Sequence, residues 1–360
     1  MRRAQQGRRG QSSAWLVGAF ATIAAIASCG GGVRAAAPDT TKVATADEHV
    51  REARFSDLPA FRNVPWADAL KAEQDSFDAM GKPPSRYGPM TIPDFVGTFT
   101  NVVDHERRTL HGSCAGCPHK TVWWFGASAA FGLGQRDDYT VASDLVRLGA
   151  AAGIDLEVRN LAIPGAVLVD EYDFLKVHLR LDPHPPDLVV FYDGFNDALY
   201  NYMFTVVNHG AIQTTDDFTD VAPKFLTLQP APGLDAATIA RVVAHTVKRY
   251  RQSQQSVIDL LGPRTIPVEY FEQPDAFVSP LQSSGLAKAL NKTMAEISQK
   301  SDISAVLRGV SAGLATSVHN LRPLLADFDQ PVFADPGHTN ETGAQLVAKA
   351  VFDLILPRLR

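Results

Sequence analysis

Cysteine is scarce in this sequence: Cys29, Cys114 and Cys117 are the only three in 360 residues. That excludes the disulfide-framework class, in which a short chain relies on several bridges in place of a core. Basic charge is not in excess either, since 34 Lys and Arg face 39 Asp and Glu for a formal charge of −5. On that balance no nucleic acid is expected as a partner. The longest uncharged apolar run, "AWLVGAFATIAAIAS" at 14–28, stops at fifteen residues, short of the roughly 20 that a membrane span needs. Internal repeats are also missing. Apolar side chains are abundant, at 45% against 20% charged, enough for one large or two ordinary domains with a sizeable core.

The N-terminus reads as a targeting segment. "MRRAQQGRRG" carries Arg2, Arg3, Arg8 and Arg9 and no acid, and the apolar run at 14–28 suits a signal-peptide core. The run ends in "IASC" followed by "GGG", which resembles a bacterial lipobox. Residues 1–28 are therefore expected to be a lipoprotein-type signal peptide, with Cys29 lipidated as the mature N-terminus. An ordinary cleaved signal or an uncleaved anchor are the alternatives, and the residues flanking Arg8-Arg9 fit a twin-arginine signal poorly. Removing 1–28 leaves 30 basic residues against 39 acidic, a balance of −9. An exported, acidic protein is expected, held at the outer face of the membrane by its lipid or else secreted. Residues 29–60, Ala-, Thr- and charge-rich without a period, read as a flexible tether.

Cys114 and Cys117 lie in "HGSCAGCPHK", and in an exported chain a local disulfide is the expected state. His111 and His119 would complete a Cys2His2 set, but all four fall within nine residues, whereas structural zinc usually separates its ligand pairs by roughly a dozen or more. A redox motif would follow a strand and open a helix, and here Pro118 leads into a strand. No metal is expected.

Residues 61–119 carry Pro, Met and aromatics and read as an ordered N-terminal extension. From 120 to 358 strand and helix patterns alternate. "KTVWWFGAS", "LEVRNLAIPG", "PDLVVFYDG" and "TIPVEYFEQPD" read as strands, of which "PDLVVFYDG" is the clearest unbroken apolar run of the kind parallel strands give. "TVASDLVRLGAAAG" and "LVDEYDFLKVHLRLD" have apolar residues at helical spacing. The order predicts an α/β fold: a three-layer αβα sandwich around a mostly parallel sheet. The stretch 201–262, too long for a plain connection, is expected to supply crossover helix and a helical insertion.

Ligands of such sheets bind beyond the carboxyl ends of the strands. Four features fall there. Ser128 follows "VWWF", Gly165 follows "VRNLAIP", Asn196 lies in "DGFND" after "LVVFY", and "VFADPGHTNETG" precedes the last helix. Asp335 and His338, three apart across a Pro-Gly turn, can place the carboxylate on one imidazole nitrogen. The other nitrogen can then take the proton of Ser128. The N–H groups of Ser128 and Gly165 and the Asn196 amide are available as donors to an oxyanion. Singly, each residue reads as a turn former, a cap or a helix-start histidine. Their order along the chain makes the case. Asp193 and Asp197 also lie near the site as candidate acids, but the short spacing to His338 favours Asp335. Asp197 is expected to brace its own loop, and "QRDD" (135–138) to form a structural loop.

The blocks "FGAS", "NLAIPG", "YDGFND" and "DPGH" resemble those of the SGNH hydrolases, the GDSL-like esterases and lipases, over roughly residues 120–355. The departure is Ala127, where the family name has Asp. The resemblance implies a flavodoxin-like fold and a serine nucleophile at Ser128. It further implies His338 as base and acid and Asp335 as its orienter, with an oxyanion hole from Ser128, Gly165 and Asn196. The α/β-hydrolase elbow G-x-S-x-G is excluded because its fifth position is Ala130. The expected activity is cleavage of carboxylic esters through an acyl-enzyme at the cell envelope, without cofactor, on a small-molecule, glycan or lipid ester. O-acyl transfer or deacylation of envelope glycans or lipids is the alternative, and a non-catalytic binding protein of the same fold is the rival from another class.

Overall fold

The computed structural model describes residues 54–81, 91–112, 114–213, 232–278 and 301–360, with isolated positions between 221 and 228. The expected signal peptide at 1–28 and the Cys29 lipidation site lie outside the described residues. Within them, no helix is long and apolar enough to cross a membrane.

One eight-stranded sheet organises the chain, in the order β1-β2-β3-β5-β4-β6-β7-β8. β1 (Phe95–Val96), β2 (Asn101–Val103) and β3 (Glu106–Arg107) form an antiparallel ribbon. It joins the larger sheet where Arg107 of β3 pairs with Asn160 of β5 (Asp155–Asn160). β4 (His119–Gly126), β5, β6 (Leu188–Asp193), β7 (Val268–Glu272) and β8 (His319–Asn320) run parallel.

The apolar runs explain the centre. Val122 to Phe125 of β4 and Leu188 to Phe191 of β6 are wholly buried, as strands covered by helices on both faces must be. Burying each such large side chain stabilises the fold by about 1.5–3 kcal/mol. Trp124 stacks on Tyr192, and Phe125 on Phe191, at centroid separations of 5.3 Å in both cases. Among the described residues the α-helices are α1 (Ala67–Ala79), α2 (Ser128–Phe131), α3 (Val141–Ala151), α4 (Leu168–Leu181), α5 (Phe195–Val207), α6 (Ala236–Leu261), α7 (Ser301–Leu314) and α8 (Glu341–Leu359). α8 packs on α3, while α6 packs on α4, α5 and α7.

Two expectations on boundaries change. Residues 236–261, within the stretch assigned in part to an insertion, form the long crossover helix between β6 and β7, with Val242, Tyr250, Val257 and Leu261 buried. The chain is already folded before residue 60, the expected end of the tether. Phe55–Asp57 and Pro59–Phe61 form 3₁₀ turns, and Leu58, Ala60 and Phe61 bury against Ala67 and Ala334. The apolar residues Phe55, Leu58 and Phe61, hidden in a charge-rich context, are what ties this segment down.

The Cys114–Cys117 disulfide is present, and the His119 ring faces the Asp155 carboxylate, Nδ1 to Oδ2 3.0 Å. Among the described residues, no group of three or more His, Cys, Asp or Glu is arranged to hold a metal ion.

Candidate active site

β4 is the point at which the strand order reverses, since the chain passes from β4 to β5 on one side and then to β6 on the other. Open α/β sheets bind ligands at such a point, and Ser128 sits there, on the first turn after β4. The local sequence enforces the turn. Gly126 has φ +147°, and a Cβ there would lie 2.2 Å from the Tyr192 carbonyl oxygen, so only glycine fits. The turn of α2 is held from below, because Trp124 Nε1 and Asn160 Nδ2 both donate to the Ala130 carbonyl, each at 3.1 Å.

The Asp335–His338 turn arrives from the far end of the chain. Phe333 pairs with Thr339 across it, and Ala334 N donates to the His338 carbonyl at 2.8 Å. Asp335 Oδ1 accepts from the backbone N–H groups of Gly337 at 2.8 Å and His338 at 3.0 Å. Its Oδ2 lies 2.7 Å from His338 Nδ1. The other ring nitrogen, Nε2, lies 2.6 Å from Ser128 Oγ. With the proton on Nδ1, the ring donates to Asp335 and accepts from the Ser128 hydroxyl. Ser128, His338 and Asp335 are thus brought into one hydrogen-bonded line, which fixes the imidazole tautomer and offers a base to the hydroxyl. Gln273, at the end of β7, donates to the Gly337 carbonyl at 2.8 Å. A Cβ at Gly337 would come within 3.1 Å of the Phe195 ring, which leaves the turn seated directly on α5.

Gly165 and Asn196 come from the two neighbouring strand ends. Gly165 has φ +84°. Asn196, nine-tenths buried, donates from Nδ2 to the carbonyl of Ala166 at 2.9 Å, which ties it to the residue after Gly165. Asp197 takes no part in the Ser–His–Asp line. It lies in the first turn of α5 rather than in a loop, and its carboxylate accepts from Leu168 N at 3.4 Å, bracing the Gly165 side of the site.

Behind Asn196 lies a group of carboxyls, to which the sequence reading contributed only Asp193 and Asp197. Glu171 and Glu272 are each 1% exposed and Asp193 2%. The Tyr250 hydroxyl donates to Asp193. Burial, offset in part by the Tyr250 hydrogen bond, pushes Asp193 up to about 7. Burial and the neighbouring Asp193 charge push Glu171 and Asp197 well above the ordinary carboxylate range. These groups titrate as a set.

A second network missing from the sequence reading lies on the serine side. Arg107, 1% exposed, donates from Nε to Asp137 Oδ1 at 2.7 Å and from Nη2 to the Gln135 carbonyl at 3.0 Å. Gln74 of α1 donates to the same Gln135 carbonyl at 3.3 Å and accepts from Gly134 N at 2.9 Å. "QRDD" is therefore a structural loop as expected, with buried anchors that no local spacing announces.

No protein-family model matches this sequence, and no curated protein matches it. Solved structures do resemble it. A member of the lipolytic protein G-D-S-L family from Veillonella parvula DSM 2008 is 14% identical, at TM-score 0.37, covering 66% of this chain and 98% of its own. The lipase/acylhydrolase from Enterococcus faecalis is 16% identical at TM-score 0.36, with 68% of this chain and 97% of its own covered. An SGNH-hydrolase family esterase is 16% identical at TM-score 0.35, covering 67% and 97%. The roles of Ser128, His338 and Asp335 rest on their own geometry.

Proposed function

We propose that this chain is a serine ester hydrolase of the SGNH type, acting at the cell envelope. The observation that carries the reading is the unbroken line Ser128 Oγ–His338 Nε2–Asp335 Oδ2, with separations of 2.6 and 2.7 Å, at the reversal point of a parallel sheet. Ser128 attacks an ester carbonyl as His338 takes its proton. The oxyanion that forms is received by the N–H groups of Ser128 and Gly165 and the Asn196 amide. His338 returns the proton to the leaving alcohol, and the acyl-enzyme is then hydrolysed by a water that His338 deprotonates. Asp335 holds the ring and stabilises the imidazolium. No metal or cofactor enters these steps.

The test is fluorophosphonate labelling together with hydrolysis of p-nitrophenyl esters of graded acyl length. Wild type is expected to label and turn over. Ser128→Ala is expected to lose labelling and to lower kcat by on the order of 10⁴-fold or more. Labelling that persists in Ser128→Ala, or a wild type that neither labels nor hydrolyses any ester, overturns the reading, the second result in favour of a non-catalytic binding protein. Adding a sugar acceptor to the assay separates hydrolysis from O-acyl transfer. Export and anchoring rest on the N-terminal sequence alone. Cys29→Ala should move the protein from the membrane fraction to the soluble one, and unchanged partition excludes the lipid anchor.

A further inference from the structure

The serine turn and the histidine turn are 210 residues apart in sequence, and each is rigid within itself. Ser128 O accepts from Gly132 N and Leu133 N, each at 3.1 Å, and Gly132 O accepts from Gln135 N at 3.2 Å. Two consecutive turns thus fix the Gln135 backbone relative to Ser128. The histidine turn is closed by its own pairing of Phe333 with Thr339. What sets one rigid piece against the other is a side chain. Gln135 Nε2 donates to the Thr339 carbonyl at 3.0 Å and to the Thr339 hydroxyl at 3.2 Å, one residue beyond His338.

Three observations single out this strut. Gln135 is 1% exposed, so water does not compete for its bonds. Its Oε1 is buried without a partner, a cost that a leucine of similar size would avoid; the amide is kept for its donor end. Its backbone carbonyl, meanwhile, receives both Arg107 Nη2 and Gln74 Nε2, so the strut stands on a braced base. The other ties bear elsewhere: Gln273 anchors Gly337 to β7, and Arg136 pairs with Glu341 on α8 at 2.7 Å.

We propose that Gln135 is a positioning residue for the reaction, setting the Ser128–His338 separation through Thr339, with Gln74 and Arg107 as its footing. This rests on the proposed hydrolase reading for its kinetic consequence, though the geometry it predicts does not. A displacement of about 1 Å between reacting groups can cost on the order of 100-fold in rate. Gln135→Leu is therefore expected to lower kcat for p-nitrophenyl acetate by about that factor while KM stays within about twofold, because no substrate contact is lost. Gln135→Glu supplies a signature that a packing role would not. A neutral carboxyl donates to the Thr339 carbonyl and an ionised one cannot, so the ratio of variant to wild-type kcat should fall as pH rises.

The experiment combines these kinetics with NMR of the His338 ring in the full chain, with and without Ser128→Ala. In wild type, removing the hydroxyl shifts the His338 resonances. In Gln135→Leu, that shift is expected to vanish while circular dichroism is unchanged. A folded Gln135→Leu that keeps both the shift and kcat within about twofold overturns the proposal. Where Gln135→Leu does not fold, the Gln135→Glu ratio decides: pH-dependent in support, flat against. A wild type that hydrolyses no ester defeats the hydrolase reading alone, and the NMR arm still judges the strut.

Discussion

The two sides of β4 brace the same site by opposite means. On the β5 side the supports are neutral amides and a matched buried pair: Gln74, Gln135, Asn160 and Arg107 with Asp137. On the β6 side they are carboxyls, Glu171, Asp193 and Asp197, gathered around Tyr250, with Glu272 beside Asp193 but matched by the buried Arg322 at 3.6 Å. The first arrangement has fixed amide donors and acceptors, and its one carboxylate is matched by a buried guanidinium. The second is stable only while protons are held in it, since several like charges cannot all be buried ionised. The Asn196 side is therefore the one expected to respond to pH.

That contrast can be broken most forcefully at Arg107. Arg107→Met leaves the Asp137 carboxylate without its buried cation, the exposed Arg108 being the only other among the described residues, and should cost about 3–5 kcal/mol, read from urea unfolding. A loss under about 1 kcal/mol would mean that the exposed Arg108, 4.0 Å from Asp137 Oδ2, and the two Asn101 donors, the backbone N at 3.1 Å and Nδ2 at 2.6 Å, suffice without Arg107.

The next effect concerns pH. Asp193 has its folded-state value raised from 3.8 to about 7, so the native state binds more protons than the unfolded chain between those limits, and stability falls as pH rises through that window. Asp193→Asn keeps an acceptor for the Tyr250 hydroxyl and removes the ionisation. Its stability relative to wild type should rise between pH 4 and pH 7 by on the order of 1 kcal/mol or more. An unchanged difference across that range would show the proton to be held elsewhere in the cluster. The smallest effect is local. Thr140 caps α3 by accepting from Ser143 N at 3.2 Å, on the serine side, and Thr140→Ala should cost about 1 kcal/mol equally at pH 5 and pH 8.

How far the sequence spoke for itself follows the same division. Ser128, Gly165, Asn196 and the Asp335–His338 turn were legible because each terminates a parallel strand or opens the final helix, and apolar runs advertise such strands. The braces were not. Gln74 reaches across 61 residues to Gln135, and Gln135 across 204 to Thr339, and no periodicity links isolated polar residues at such distances. Glu171 sits in a helix of ordinary amphipathic pattern, where an acid reads as solvent-facing. The 26-residue α6 was visible as a helix, yet one apolar stripe looks the same on a crossover as on a lid.

The 210-residue span between Ser128 and His338 also bears on how the molecule assembles. Closing a contact so distant in sequence comes late and slowly in folding, whereas β4 can pair with its neighbours β5 and β6 over shorter loops. Fluorescence from Trp123 and Trp124 should therefore report burial well before Ser128 accepts a fluorophosphonate. On the proposed reading, labelling of Ser128 is a clock for a late step of folding, and a preparation can look native by its tryptophans before Ser128 has met His338.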